Sequence, residues 1–150
     1  MSAFTNLAED DFLDLFFTNV AFPNVGDAAG LPPSVGANNL HASLHVSDGV
    51  SDTSTLQTDS EVAYTGYGRV AVARSVSGWT VASGTVDNDS LMQFGEMTAG
   101  GPDTITDVGL GFATSGAGVL QIWGQVALDL VVNDGVNPQF AAGALDVSIN

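Results

Sequence analysis

Leu120, Ile122, Gly124, Val126, Leu128, Leu130 and Val132 occupy every second position of one uninterrupted stretch. A period of two places them on one face of an extended strand, whereas a helical face needs a period of about 3.6. The same alternation recurs in Leu40, Ala42, Leu44 and Val46, separated by His41, Ser43 and His45, and in Val108, Leu110 and Phe112, separated by Gly109 and Gly111. Val62 to Arg74, Val76 to Val86 with Trp79 and Val81 on one face, Leu91 to Phe94, and Ala144 to Ile149 also read as strand regions. Between them stand turn formers: Asp48-Gly49 at the start of a polar stretch that runs to Glu61, Gly100-Gly101-Pro102, Ser115-Gly116-Ala117-Gly118 and Asn133-Asp134-Gly135. About seven to nine short strands at this spacing predict a β-sandwich or jelly roll.

One helix interrupts the pattern. Residues 5–18 carry Phe12 and Phe16, and Leu13 and Phe17, at i, i+4 spacing, with Thr5 or Asn6 as cap and Glu9, Asp10 and Asp11 near the first turns. A helix this short must pack on something, a sheet of its own chain or a neighbouring subunit. Residues 23–39 follow as a loop rich in Pro, Gly and Asn, of a length that often contacts a partner. With 150 residues, no internal repeat and no other linker, the expectation is a single domain over 1–150, with the helix at about 5–18, the loop at about 23–39 and strands over about 40–150.

Charge narrows the partners. Asp and Glu number 17 against 2 cations, Arg69 and Arg74, with no lysine, for a net charge of −15. Nucleic-acid binding draws its affinity from Lys and Arg on phosphate, and anionic membranes recruit the same residues, so neither partner is expected. Acidity serves solubility, or a basic partner. The N-terminus lacks a basic region and Asp10, Asp11 and Asp14 break its apolar stretch, so no secretion signal is expected; no apolar run of about 18 residues predicts a membrane span. Cysteine is absent, which removes thiol chemistry.

Catalytic and metal signatures are weak. His41 and His45 would share a helical face, but on a strand their α-carbons stand roughly 13 Å apart, too far for one ion. The expectation is two polar residues on an outer strand face. Asp87-Asn88-Asp89-Ser90 opens like a calcium loop, yet the sixth and twelfth positions are Met92 and Thr98 where a glycine and a glutamate belong, so a polar turn is expected. The glycine pairs at 66/68, 109/111 and 116/118 lack a phosphate-loop setting and read as bulges and tight turns. No nucleophile elbow occurs, and neither histidine sits in a motif that suggests a serine triad. Trp79 and Trp123 read as core or interface residues, or as a sugar platform. Phe4, Phe12, Phe16, Phe17 and Phe22 read equally as core or as interface anchors.

The stretches 64–75 and 105–150 carry a resemblance. Val108 to Ala113, Ser115 to Gly118, Leu120 to Gly124, Val132 to Gly135 and above all Phe140-Ala141-Ala142-Gly143-Ala144-Leu145, together with the N-terminal helix and the strand Leu40-His41 to Leu44-His45, resemble a group of small tailed-phage virion proteins, called capsid decoration (cement) proteins in some phages and tail fibre proteins in others. The resemblance implies an all-β, jelly-roll-like β-sandwich with one short N-terminal helix, symmetric assembly as a homotrimer, and no catalytic residue to carry over; the residues themselves lead to no expected metal or cofactor.

The compact, acidic chain without a shaft repeat favours a non-enzymatic cement protein on the outer capsid surface. Such a protein would be made in the host cytoplasm, bind the major capsid protein and stabilise the assembled shell by mass action. The alternative is a tail-associated fibre subunit in host adsorption, touching glycan through Trp79, Trp123 or the tyrosines. A hydrolase with paired carboxylates is the remote third reading. Phe12, Phe16, Phe17, Arg69 and Arg74 are the candidate interface residues, each arginine expected to pair with a carboxylate, within the chain or across subunits.

Overall fold

The computed structural model describes residues 4–46 and 49–149, so the expected turn residue Asp48 lies outside the described residues. Along the chain come α1 (Asn6–Leu13), one wide π-helical turn (Asp14–Thr18), and strands β1 (Asn39–Val46), β2 (Val70–Ala73), β3 (Trp79–Ala82), β4 (Thr85–Asn88), β5 (Met92–Gln93), β6 (Asp103–Gly111), β7 (Leu120–Val132), β8 (Gln139–Phe140) and β9 (Asp146–Ser148). This is the expected all-β class, a sandwich-type chain with one short N-terminal helix. Sheet orders are β2-β1-β6-β7, β3-β4-β9 and β5-β8.

Contacts gather into two compact units, each assembled from separated segments. One comprises Met1–Asn39, Ala73–Leu91 and Phe140–Asn150; the other comprises Leu40–Val72 and Met92–Gln139.

In the first unit, Thr5 caps α1 by accepting from the Ala8 N–H at 3.4 Å. The helix then widens, Thr18 returns its hydroxyl to the Asp14 carbonyl at 2.9 Å, and Asn19 ends it in the left-handed region at φ 59°. The buried side of the helix is Leu13 and Phe17, the latter edge-on to Trp79 with ring centroids 4.8 Å apart. Trp79 begins the β3–β4 hairpin, whose two central residues Ser83 and Gly84 both have positive φ, the primed turn that suits strand twist. Gly84 N–H donates to Asp10 Oδ1 at 2.6 Å, which ties the hairpin to the helix. Val76–Val86 is therefore a turn and a hairpin rather than one strand. The loop at 23–39 is pinned twice: Phe22 and Leu31 exchange main-chain bonds of 3.0 and 2.9 Å, and the Asn19 side chain donates to Ser34 O and accepts from Ser34 N–H.

In the second unit β1 is central, antiparallel to β6, and β6 is antiparallel to β7. The period-two reading of β1 holds for Leu40, Ala42 and Leu44, which are fully buried, but the opposite face is buried as well: His41 is 8% exposed and Ser43 and His45 are 0% exposed. The outer-face reading of the histidines is thus corrected. The segment around Leu56–Glu61 lies over that face, with Gln57 Nε2 donating to His41 O at 3.2 Å and His45 Nδ1 2.8 Å from Asp59 O. The expected strand over Val62–Arg74 shortens to β2. Tyr67 leaves the extended path because its hydroxyl sits between Leu44 N–H, from which it accepts at 3.1 Å, and Glu61 Oε1, to which it donates at 2.7 Å.

Candidate functional site

A buried polar cluster lies in the second unit, between β1, β6 and the 59–69 segment. Arg69 is its hub. Its Nε and Nη2 donate to the two oxygens of Glu61, both at 2.6 Å, while Nη1 and Nη2 also donate to Ala113 O at 2.9 Å and Gly116 O at 2.8 Å. Only 2% of the arginine side chain and 12% of the glutamate's are exposed. The Glu61 contact raises the Arg69 pKa further, fixing its charge. Burial drives the Tyr67 phenol far above its ordinary value, so it serves Glu61 as a neutral donor.

Next to this hub His45 Nε2 lies 2.9 Å from Ser43 Oγ. A carbonyl oxygen can only accept, so the ring proton sits on Nδ1 facing Asp59 O, and the neutral ring's Nε2 accepts from the Ser43 hydroxyl. Burial is the main cause that lowers the His45 pKa; the Asp59 carbonyl and the charges of Glu61 and Asp107 oppose it. Gly109 makes this arrangement possible. A Cβ there would stand 2.6 Å from His45 Nε2 and 2.8 Å from Ser43 Oγ. Gly109 is a clearance position rather than the bulge or turn the sequence suggests.

A serine against a histidine is the geometry of an activated nucleophile, and no motif around Ser43 and His45 signals it. Here the orienting acceptor is a main-chain carbonyl, and both side chains are 0% exposed. In this structure the pair satisfies its own polar atoms inside the sheet and meets no solvent. Asp107, 1% exposed, accepts from Thr106 Oγ1 at 2.7 Å. No cluster of three or more His, Cys, Asp or Glu among the described residues is arranged to hold a metal ion. The Asp87–Ser90 segment has its own structural use: Asn88, 1% exposed, donates to Ser90 O and Ala141 O and accepts from Leu145 N–H.

The candidate interface residues fall in different environments. Phe17 is fully buried, Phe16 is half-buried with its ring 5.0 Å from that of Phe17, and Phe12 is 49% exposed. Arg74 is buried, and donates to the carbonyls of Phe16 at 2.6 Å, Leu15 at 2.8 Å and Ala37 at 3.0 Å, gripping the end of the helix and the loop with one guanidinium. Arg69 meets the expected carboxylate within the chain. Trp79 belongs to the core and Trp123 is half-buried on β7.

One consequence is electrostatic. Arg69, Arg74, His41 and His45 are all turned inward, whereas Asp27, Asp52, Asp89, Glu96, Asp129, Asp134 and Asp146 are exposed. Among the described residues, every ionisable side chain open to solvent is acidic.

Comparison with known families decides the class: the description "Podophage GP4 fiber I protein gp80" matches residues 3–148. The chain belongs to this phage fibre protein family. It is a structural phage virion protein, and its place is the virion. The match spans both units of this gp80-family chain. No curated protein matches the chain. Among the described residues of the gp80-family chain, no helix is long and apolar enough to cross a membrane.

Proposed function

We propose that the chain is a non-enzymatic subunit of a phage fibre, assembled with copies of itself and fixed to the particle near the tail. The match over residues 3–148 to a family described as a fibre protein carries this reading. The sealed Ser43–His45 pair supports a structural rather than a chemical role. The anionic exterior supports a position away from packaged DNA, since phosphate contacts need accessible cations.

A decoration protein on the outer capsid is the second reading, favoured by the same acidic surface. Cations on the shell would supply the complementary charge. In both cases a homotrimer is the assembly proposed.

Particles produced without this chain, then incubated with the purified protein and imaged, separate the two. Rebinding at the tail supports the fibre subunit. Saturable density over the shell, with greater resistance of the shell to heat, transfers the chain to the capsid. Particles that bind it nowhere would remove both.

A further inference from the structure

We propose that the outer edge of β7 is a surface through which two copies of this chain join, strand to strand. The inference deepens the self-assembling fibre reading and rests on it for biological meaning, but its observations are separate.

β7 ends the sheet order β2-β1-β6-β7. At its start Leu120 N–H donates to Thr55 O at 3.0 Å, and no described strand covers the outer edge beyond that point. An open edge presents unpaired N–H and C=O groups, and proteins blunt such edges with short strands, lysine, proline or bulges. The opposite edge strand, β2, has only 4 residues. β7 has 13, with neither lysine nor proline, and one charged residue, Asp129.

Its faces are open too. Despite the strong alternation, only Leu120 and Val132 are buried, at the two ends. Opposite Thr106 alone, β7 inserts Val126–Asp129 between the paired residues Gln125 and Leu130. The excursion leaves Leu128 84% exposed, with Val131 at 52% nearby.

Charge selects the occupant. Solvent meets acids and no cation elsewhere on the described surface, so two copies repel wherever those acids face each other. Val108 to Leu128 contains no ionisable residue at all, and the exposed Asp129 is the one acid on β7. That hairpin is where two copies approach at least electrostatic cost, and an antiparallel ladder about a two-fold axis, on the regular stretches beside the Val126–Asp129 excursion, then pairs edge with edge without any ion pair, a contact additional to those of the trimer. A basic partner would gain nothing there and would seek the acids instead.

The test is the mass of the purified full chain by light scattering and sedimentation, over about a hundredfold range of concentration and from low to high salt. Wild type is expected to associate, more tightly at high salt because screening removes acid–acid repulsion. Leu128→Lys and Val131→Lys should each weaken association by about tenfold or more, and Val35→Lys, at a fully exposed site on the 23–39 loop, should not. Amide exchange of residues 121–131 should slow in the assembled wild type, a readout independent of whether a variant folds. A wild type that stays monomeric throughout, folded β7 variants with wild-type association, or fast exchange along 121–131 in an oligomer would overturn the proposal. Each of these can occur in a protein that is nonetheless found in the fibre, so failure here is distinguishable from failure of the fibre reading.

Discussion

Arg69 Nε stands 2.6 Å from Glu61 Oε1, and almost none of the arginine side chain reaches solvent. Removing one member strands the other as a buried charge. Glu61→Gln should therefore destabilise the fold by about 3–5 kcal/mol. Arg69→Lys should be nearly as damaging, because an ammonium cannot reproduce the fork that reaches Glu61, Ala113 and Gly116 together. Urea unfolding checks both. A loss below about 0.5 kcal/mol would mean that the pair behaves as a solvated surface ion pair.

Arg74 acts as a clasp inside the first unit. Its three carbonyl acceptors include the end of the helix, where a cation also meets the negative end of the helix dipole. Arg74→Ala should cost about 2–3 kcal/mol and speed proteolysis within 23–39. An unchanged cleavage pattern would contradict the clasp.

Phe17 and Phe12 lie five residues apart on the same helical segment but should respond differently. Phe17→Ala empties a buried site against Trp79 and should cost about 3–5 kcal/mol, while Phe12→Ala should change stability by about 0.5 kcal/mol or less. Thermal melts of both variants give the comparison. Equal losses would contradict the burial of one and the exposure of the other.

His45 makes stability depend on pH. Burial lowers its pKa in the fold, so over a window opening near the ordinary histidine value of about 6.5 the unfolded chain binds more protons than the native one. The stabilisation is complete above that value and is lost as pH falls toward the folded pKa, with a slope of at most about 1.4 kcal/mol per pH unit from this residue. His41, lowered by burial and then by Arg69, adds in the same direction. Denaturation midpoints from about pH 7.5 to about pH 5.5 should fall, and His45→Gln should flatten the slope while lowering stability overall. A flat wild-type profile would contradict a neutral buried His45.

Gly109→Ala tests the clearance that lets His45 and Ser43 meet. The added methyl should cost about 1–3 kcal/mol through overpacking. Gly124→Ala, with nothing within 4 Å of the added atom, should cost much less. Equal losses would show that strand propensity, not space, sets the effect.

Much of the fold was legible in the residues. Thr5 caps the helix as expected, the alternations at Leu40–Val46 and Val108–Phe112 mark β1 and β6, the second strand ending at Gly111 before Phe112, and Asn133-Asp134-Gly135 ends β7. Burial was legible on one face only. His41, Ser43 and His45 look like a solvated face, because nothing local shows that the distant segment at 56–61 folds over them. The alternation in β7 predicts a buried face that the chain does not supply, since pattern reports apolarity and not what covers it. The division into two units was hard to read, because only the first crossing, at the start of β1, follows the Pro- and Gly-rich loop at 23–39, while the others fall in or beside β2, β5 and β8 with no linker composition. The arginines stood out as the only two cations, but their acceptors, largely main-chain carbonyls, carry no sequence signature.

The most direct test of the central claim is cryo-electron microscopy of intact, gradient-purified particles labelled with an antibody fragment against this chain. Label is expected on fibres at the tail, at a fixed number of copies per particle. Label over the shell would contradict the fibre assignment, and particles without label, from a preparation in which the free protein binds the fragment, would contradict a place in the virion altogether.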